Sequence, residues 1–369
     1  MRIAKVQVDH FHIPLPVVLS DSTHGEITGF GLVTVRLLCD SGEEGLGYTY
    51  TVSSTGGAAI RTLIERDLEP ILLRGDPRRI EQLWERMWWR LHYVGRGGMA
   101  VHAISAVDIA LWDLKGKAAG EPLWRLLGGH RVRVKAYAGG IDLQFSVDEL
   151  CEQTRAFLER GFRAIKMKVG RGRLSEDVAR VAAVRSLIGP GIPLMVDANM
   201  RWTVAEAIRA CRALADYDVY WLEEPTIPDD IDGHARIARE GTLPVATGEN
   251  LHSLYEFRRM ISHGGISFAQ PDVSNMGGIT AWMKVAHLAE AHNLPVSSHG
   301  VHDLHVHLLA AVPNASYLEV HGFGLERFVR HPLRLEDGEA LAPERSGHGV
   351  ELDWEALEHH RDRWEPRKT

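Results

Sequence analysis

The chain has 369 residues, of which 45% are hydrophobic and 25% charged, and its formal net charge is −7. These values are typical of a globular protein, and the lack of a basic run, an acidic tail or a long apolar stretch argues against nucleic acid or a membrane as partner. Residues 1–16 have too short an apolar run for a signal peptide. The cysteines Cys39, Cys151 and Cys211 have no paired spacing, so we expect free thiols in a reducing cytoplasm.

Residues 1–130 are predicted to form an α+β domain, with strands first and helices after them. Short runs rich in β-branched and aromatic residues predict the strands Arg2–Phe11, Gly31–Leu38 and Gly45–Thr51. Apolar residues at helical spacing predict helices over Gly57–Leu73, Arg79–Leu91 and Met99–Lys117. The polar stretch 20–29 joins the first two strands and is predicted to be a loop.

From residue 131 onward, segments typical of strands and of amphipathic helices alternate. The predicted strands are Val134–Ala138, Ala164–Val169, Pro193–Asn199, Val219–Glu224, Pro244–Glu249, Ser267–Asp272, Pro295–His299 and Ser316–Val320. Eight parallel strands in about 190 residues fit a closed (β/α)8 barrel of the TIM type better than an open sheet. We therefore predict an α/β fold with a barrel over residues 131–324 and a last segment, 325–369, that returns to the N-terminal domain.

Six ionisable residues end successive predicted strands, at intervals of 26, 26, 23, 27 and 20 residues. They are Asp197, Glu223, Glu249, Asp272, His299 and Glu319. Each interval is about the length of one strand–helix unit in a β/α barrel. The side chains are therefore expected to converge at the C-terminal mouth of the barrel, where barrel enzymes have their active sites.

Asp197, Glu223 and Glu249 are predicted to bind a metal ion. Three carboxylates at one mouth repel each other unless a cation lies between them. Ligation by oxygen alone favours Mg²⁺ over zinc. Each acid could instead cap the helix that follows its strand, a common position for Asp. Three acids in register favour the metal site.

Lys166 and Lys168 are two residues apart on one predicted strand, so both side chains are expected to point into the barrel. Two ammonium groups beside a bound cation are disfavoured, so one lysine is expected to have a lowered pKa and to act as a base. Asp272 and His299 end neighbouring strands, and a carboxylate that orients an imidazole makes a general acid or base. Glu319 could balance charge or, when protonated, hydrogen-bond an anionic substrate.

The motifs KMK, VDAN, WLEEPT, GEN, QPD, SSHG and LEV occur in the order found in the enolase superfamily. Over nearly its full length the chain resembles the mandelate racemase subgroup of that superfamily. The resemblance implies a modified (β/α)8 barrel with an N-terminal α+β capping domain. It also implies a Mg²⁺-dependent enzyme that removes the proton next to a substrate carboxylate, with a Lys or His base, a known pairing in this superfamily.

The resemblance assigns roles to the ionisable residues, beginning with the three strand-end acids as metal ligands. Lys168 resembles the base on one face of the substrate. Lys166 resembles the neighbour that contacts the substrate carboxylate and lowers the pKa of Lys168. His299, held by Asp272, resembles the base or acid on the opposite face.

Two substrate contacts and an assembly are also implied by the resemblance. Asn199 resembles a substrate-binding residue beside the metal, and Glu319 resembles the acid that hydrogen-bonds the substrate carboxylate. The expected partner is a small-molecule carboxylate, and the family usually assembles as homo-oligomers, from dimers to octamers. The aromatic residues Trp88, Trp89 and Tyr93 are expected in the core or at such an interface.

The segment 20–29 lies where the capping domain of the family covers the substrate. Its polar residues, His24 and Glu26 among them, favour a substrate with several hydroxyl groups, although a solvated hairpin needs no ligand. The sequence around Tyr48 is similar to acid-sugar dehydratases of the subgroup, so Tyr48, like His24 and Glu26, is expected to contact the substrate. We therefore expect dehydration of a sugar acid, an aldonate or an aldarate such as galactarate or talarate, to a 2-keto-3-deoxy acid. A racemase or epimerase of a 2-hydroxy acid is the alternative.

Two other classes of protein are less consistent with these residues. A carboxylate-pair glycosidase on a barrel needs neither two interior lysines nor an Asp–His pair. A non-catalytic binding barrel has no reason to hold the complete set of acids, lysines and histidine. The HDLHVH segment, His302–His307, lacks a zinc-binding pattern and is interpreted as helix-surface or packing residues, with at most a minor substrate contact.

Overall fold

The computed structural model describes residues 1–321 and 323–363. Its N-terminal domain begins with a three-stranded antiparallel sheet of β1 (Ile3–Asp21), β2 (Gly25–Cys39) and β3 (Glu44–Val52). The helices that follow are α1 (Gly57–Leu63), a π-helical segment (Ile64–Leu68), α2 (Glu69–Leu72), α3 (Ile80–Leu91), α4 (Met99–Ala119) and α5 (Leu123–Leu126). The long helix α4 is apolar on most sides because it packs between the sheet and the barrel.

The segment predicted as a loop is instead the end of a long β-hairpin. Pairing between β1 and β2 resumes after an irregularity at Pro14 and continues to Asp21 opposite Gly25, so only residues 22–24 form a turn. Asp21 stabilises this turn because its side chain accepts hydrogen bonds from the backbone N–H groups of Thr23 and His24. Gly25 has a φ of +69°, which glycine adopts at no steric cost. We refer to residues 14–30 as the hairpin arm.

The second part of the chain forms a barrel of parallel strands around a buried interior. The strands are β4 (Arg133–Gly139), β5 (Ile165–Lys168), β6 (Leu194–Asp197), β7 (Val219–Glu223), β8 (Val245–Thr247), β9 (Phe268–Ala269) and β10 (Leu318–Val320). The ring closes because β10 pairs in parallel with β4. The strand predicted over 295–299 is reduced to one residue, Val296, which bridges to Ala269 and Ala315. Serine hydroxyls at positions 297 and 298 bond the backbone of the last strand and replace ladder bonds there.

Helices alternate with the barrel strands as predicted. They are α6 (Val147–Glu159), α7 (Leu174–Ile188), α8 (Val204–Leu214) with a 3₁₀ turn (Ala215–Tyr217), α9 (Ile231–Glu240), α10 (Leu254–Ser262), α11 (Gly278–Ala291) and α12 (His302–Ala311). α6 and α8 begin with complete capping boxes, which satisfy backbone N–H groups that a helix start leaves unpaired. Within residues 1–321 and 323–363, no helix has the length and apolar character needed to cross a membrane. The three cysteines are free.

The last segment of the chain contacts both domains. It contains a 3₁₀ turn (Leu325–Phe328), β11 (Leu335–Glu336), β12 (Glu339–Leu341) and α13 (Trp354–Glu358). The predicted return to the N-terminal domain is wrong for the β11–β12 hairpin, because β12 pairs antiparallel with β4 and extends the barrel sheet. The later part does return, since Arg361 bridges to Phe11 and His348 Nε2 lies 2.7 Å from a carbonyl of β3.

Strand register arranges the barrel interior in layers. Lys166 is paired with Met195, which is paired with Trp221, so these three side chains lie at one level. One step towards the C-terminal mouth, Lys168 is paired with Asp197 and Asp197 with Glu223. Met195 and Trp221 thus pack beneath the charged groups at the mouth, and Lys166 extends from their level to those groups, because alternate residues of a strand share a face.

Candidate active site

Three carboxylates converge at the mouth of the barrel. Asp197 ends β6, Glu223 ends β7, and Glu249 lies two residues beyond β8. One oxygen of each lies within 4.8 Å of the others. Hard cations take such oxygen ligands at short range, so one ion fits between the three groups.

Two of these acids have raised pKa values, and a bound cation would favour their ionised forms. Burial raises the pKa of Glu223 to about 7, with Asp197 adding to the rise and Lys166 opposing it. Burial likewise raises the pKa of Glu249. Beside these acids, Asn199 Oδ1 and Glu224 Oε2 are buried and have no hydrogen-bond partner among the described residues. Buried acceptors without donors are costly unless a ligand or its water satisfies them, so the residues present fit Mg²⁺.

Lys166 and Lys168 are both buried beside the acids. Lys166 Nζ donates to Glu223 Oε1 at 2.6 Å, and Lys168 Nζ donates to Asp197 Oδ2 at 2.5 Å. Burial, the largest single influence, would lower the pKa of Lys168, but Asp197, Glu249 and Glu223 together raise it above its usual range. The protein groups alone therefore do not give Lys168 the lowered pKa that was expected. That expectation took account of the bound cation but not of the ion pairs between the lysines and the acids.

Asp272 and His299 form the predicted pair. His299 Nδ1 lies 3.0 Å from Asp272 Oδ2, and His299 Nε2 lies 3.3 Å from Glu249 Oε2, so the ring spans from the pair to the carboxylate cluster. Burial would lower the pKa of His299, but Glu249 and the bond to Asp272 raise it to about 10. The opposite oxygen of Asp272 accepts the backbone N–H and the hydroxyl of Ser274, which holds the carboxylate in place.

The tyrosine that reaches this pair is Tyr50. Its hydroxyl donates to Asp272 Oδ2 at 2.8 Å and lies 3.3 Å from His299 Nδ1. Tyr48, predicted to contact the substrate, is fully buried and lies farther from the mouth, and its hydroxyl has no partner among residues 1–321 and 323–363. Both tyrosines lie on one face of β3, and Tyr50 is the one nearer the mouth. The sequence YTY at residues 48–50 could have indicated Tyr50, because the two tyrosines of an alternating strand point to the same face.

Glu319 on β10 is placed as a charge-balancing group. Its Oε1 lies 2.8 Å from Lys166 Nζ, and its Oε2 accepts the backbone N–H of Gly300 at 2.8 Å. Burial would raise the pKa of Glu319, but Lys166 and His299 together hold it well below its usual range. This geometry favours the ionised carboxylate over the protonated form that was the alternative.

Asn199 lies beside the three carboxylates. It has a φ of +41°, and its backbone N–H donates to Asp197 Oδ1 at 2.9 Å. The turn of the hairpin arm is docked on the same loop, because Ser22 Oγ donates to the carbonyl of Ala198 at 2.7 Å and Thr23 Oγ1 donates to that of Asn199. The arm therefore covers the mouth beside Asp197.

The two arm residues predicted to touch substrate have different surroundings. His24 is hydrogen-bonded to Asp21 at 2.8 Å, and this bond raises the pKa of His24, with a smaller contribution from Glu249. Glu26 is exposed, whereas the next residue, Ile27, is buried. Because strand residues alternate, the inner face of the arm is apolar. A polyhydroxylated substrate would therefore meet apolar side chains, such as Ile27, on this face of the arm.

Further residues that the sequence did not single out hold Glu223. Trp221 Nε1 and Gln270 Nε2 donate to Glu223 Oε2 at 3.0 and 2.9 Å. Glu224 is also fully buried, and its Oε1 accepts from Asn250 at 2.8 Å. Asn250 lies in the GEN motif and Gln270 in the QPD motif. Their position next to the strand-end acids is the sequence signal that could have indicated these two partners.

Comparisons with known proteins agree with this geometry. Residues 3–128 match the family described as mandelate racemase / muconate lactonizing enzyme, N-terminal domain, and residues 149–356 match enolase C-terminal domain-like. The chain belongs to the enolase superfamily, in its mandelate racemase subgroup. The resemblance and the predicted fold class are confirmed. Enzymes of this superfamily use Mg²⁺, which confirms the predicted cofactor.

Members of this superfamily with high similarity include proteins from Streptomyces coelicolor. The chain is 57% identical over 355 residues, 96% of this chain and 98% of the relative, to 3,6-anhydro-alpha-L-galactonate cycloisomerase of that organism. A crystal structure of a racemase from Streptomyces coelicolor A3(2) with bound magnesium is 55% identical, has a TM-score of 0.95, and the match covers 98% of this chain and 100% of that one. L-Talarate dehydratase from Polaromonas sp. JS666, complexed with Mg and L-glucarate, is 36% identical, with a TM-score of 0.92 and coverage of 98% and 97%.

Proposed function

We propose that this enzyme removes the proton next to the carboxylate of a sugar acid and then eliminates the oxygen on the adjacent carbon. The observation that carries the proposal is the placement of two proton-transfer groups against one carboxylate cluster. Lys168 Nζ approaches the cluster at Asp197, 2.5 Å away, and His299 Nε2 approaches it at Glu249, 3.3 Å away. A substrate carboxylate held at the cluster would have one group on each side.

We assign Asp197, Glu223 and Glu249 as the ligands of the Mg²⁺. When bound, the cation supplies Lewis-acid polarisation of the substrate carboxylate. With the charge of Asp197 offset by the cation, neutral Lys168 accepts the proton from the carbon next to the carboxylate. His299, oriented by Asp272, donates a proton to the leaving oxygen on the far side.

We further propose that the leaving oxygen belongs to a cyclic ether. In a 3,6-anhydro aldonate the ring oxygen is bonded to carbon 3, next to the carbon that loses its proton. Breaking the C3–O bond sends its electron pair to the ring oxygen, which takes the proton from His299 and remains in the molecule as a hydroxyl. The product enol then becomes a 2-keto-3-deoxy acid that is an isomer of the substrate. The cycloisomerase from Streptomyces coelicolor, 57% identical to this chain, supports this assignment.

Apolar groups beside His299 also support a cyclic substrate. The ring of Phe323 is stacked on Tyr50, with centroids 4.3 Å apart, and its centroid lies 5.8 Å from that of His299. Ile27 and Phe30 of the hairpin arm pack against the same ring. An apolar wall suits the C–H faces of a ring more than the hydroxyls of an open chain.

Dehydration of an open-chain aldonate or aldarate is the second candidate. The same two residues would act, but the leaving group would be a hydroxyl that departs as water. The similarity to L-talarate dehydratase over 98% of this chain supports dehydration as the second candidate. Racemisation of a 2-hydroxy acid would use the same pair without any elimination.

One assay separates the three reactions. With Mg²⁺ and a panel of 3,6-anhydro aldonates, aldonates and aldarates, we expect a semicarbazide-reactive product whose mass by mass spectrometry equals that of the anhydro substrate. A product lighter by one water, from open-chain acids only, would establish dehydration. A change of optical rotation without keto product would establish racemisation. Lys168→Met is the inactive control, and no reaction with any sugar acid would contradict the proposal.

We also propose that the enzyme is a homo-oligomer that uses the end of α3 as an interface. Trp88 is buried in the core, but Trp89, Tyr93 and Val94 are 57%, 92% and 71% exposed. Met99, 50% exposed, extends this patch beside a groove of about 830 Å³ against α1. Large exposed apolar patches mark interaction sites.

The mass of the assembly in solution tests this interface. Light scattering is expected to give a multiple of 41.1 kDa for the wild type and a smaller multiple for Trp89→Glu/Tyr93→Glu. Ile227→Glu changes an equally apolar side chain, 52% exposed, elsewhere on the surface and is expected to leave the mass unchanged. A monomeric wild type, or a double variant with wild-type mass, would refute this interface.

A further inference from the structure

His305, on the second turn of α12, is fully buried and makes two hydrogen bonds. Its Nε2 accepts the backbone N–H of Val273 at 3.0 Å, and its Nδ1 lies 2.8 Å from the carbonyl oxygen of Gly300. A carbonyl only accepts, so Nδ1 carries the hydrogen and Nε2 the lone pair. The surroundings therefore fix one neutral tautomer of this ring.

The two backbone groups that His305 holds are the immediate neighbours of the catalytic pair. Val273 follows Asp272, and Gly300 follows His299. Asp272 follows β9 and His299 follows the bridge at Val296, and α12 carries the imidazole that bonds to both segments. One imidazole thus fastens the Asp272 segment to the His299 segment, beneath the 3.0 Å bond between their side chains.

Gly300 is held on both sides of its backbone. Its N–H donates to Glu319 Oε2 at 2.8 Å, and its carbonyl is the one bonded to His305. Its φ is +53°, and a Cβ there would collide with the ring of Phe323. The backbone next to His299 is therefore held by two polar contacts, and His305 makes one of them.

We propose that His305 is a positioning residue that sets the alignment of His299 with Asp272 and with the leaving oxygen. This inference rests on the proposed function, in which His299 donates a proton and Lys168 removes one. A displacement of about 1 Å at a reacting group costs about 100-fold in rate. Loss of the support at His305 therefore affects the step that uses His299, and leaves the step that uses Lys168 on β5.

The same helix provides a matched control. His307 is also fully buried, its Nδ1 accepts the backbone N–H of Trp124, and its Nε2 donates to the carbonyl of His348. These partners lie in α5 and in the last segment of the chain, away from Asp272 and His299. Replacing His307 costs similar buried hydrogen bonds without touching the catalytic pair.

The test compares His305→Leu, His305→Asn and His307→Asn in the full-length, Mg²⁺-loaded enzyme. In His305→Leu we expect product formation to fall about 100-fold, while exchange of the substrate α-proton with deuterated solvent stays close to that of the wild type. His305→Asn keeps an amide donor near the carbonyl of Gly300 and is expected to recover part of the loss. His307→Asn is expected to keep the wild-type ratio of exchange to product formation, whatever its Tm.

A second readout needs no turnover. The proton on His299 Nδ1, hydrogen-bonded to Asp272, is expected to shift or broaden in the NMR spectrum of His305→Leu and to be unchanged in His307→Asn. The positioning role would be overturned if exchange and product formation fell equally in His305→Leu. It would also be overturned if the folded variant kept both rates of the wild type. If the wild type forms no keto product but the His299 signal changes as expected, the proposed function fails and the positioning role stands.

Discussion

Asp197→Asn is expected to abolish Mg²⁺-dependent turnover and to lower the affinity for Mg²⁺ by at least about 100-fold, because losing even a hydrogen-bond partner of a metal ligand costs 10–100-fold. Asp197 lies within 4.8 Å of both other acids. The amide keeps the size of the carboxylate but removes the charge that a hard cation requires. Isothermal titration calorimetry with Mg²⁺ measures the loss in the absence of substrate.

Asp232→Asn, on the exposed side of α9, is the control and is expected to bind Mg²⁺ as the wild type does. Mg²⁺ should also raise the Tm of the wild type and of this control, because a ligand that binds only the native state stabilises it. No such rise is expected for Asp197→Asn. Wild-type Mg²⁺ affinity in a folded Asp197→Asn, checked by circular dichroism, would show that the metal is held elsewhere.

The strand-end acids could be predicted from the sequence because their spacing carries geometric information. In a parallel barrel each strand–helix unit returns the chain to the next strand, so residues one unit apart end at the same level. The register that pairs Lys168 with Asp197, and Asp197 with Glu223, is the direct consequence. The barrel fold follows from the same period, even though the strand at Val296 is reduced to a single bridge.

Residues that depend on packing between the domains could not be predicted in this way. Tyr48 and Tyr50 share a face of β3, and only the docking of that strand on the barrel decides that Tyr50 reaches Asp272. The polar composition of residues 20–29 concealed a strand whose inner side chain, Ile27, is buried. Within the barrel, the spacing places Lys168 beside Asp197 but does not give the 2.5 Å approach of their charged atoms, which contributes to the raised pKa of Lys168.

Lys168→Met is expected to lower both α-proton exchange and product formation by about 10²–10⁴-fold, the usual contribution of a general base. Methionine keeps the length of the side chain and removes the amine that adjoins Asp197. Lys135→Met is the control, because Lys135 lies on β4 at the other end of the barrel and is exposed. Exchange is followed by NMR in deuterated solvent, and product by its reaction with semicarbazide. Normal exchange in Lys168→Met would exclude this lysine as the base.

His299→Asn is expected to retain the exchange that Lys168 supports while product formation falls by about 10²–10⁴-fold, because the leaving oxygen loses its proton donor. Asp272→Asn should damage the same step, since the imidazole loses the carboxylate that orients it. His287→Asn alters an exposed histidine 3.5 Å from Glu290 and is expected to have no effect on either rate. Loss of exchange together with product in His299→Asn would make His299 the base for that substrate, and full product formation would remove it from the reaction.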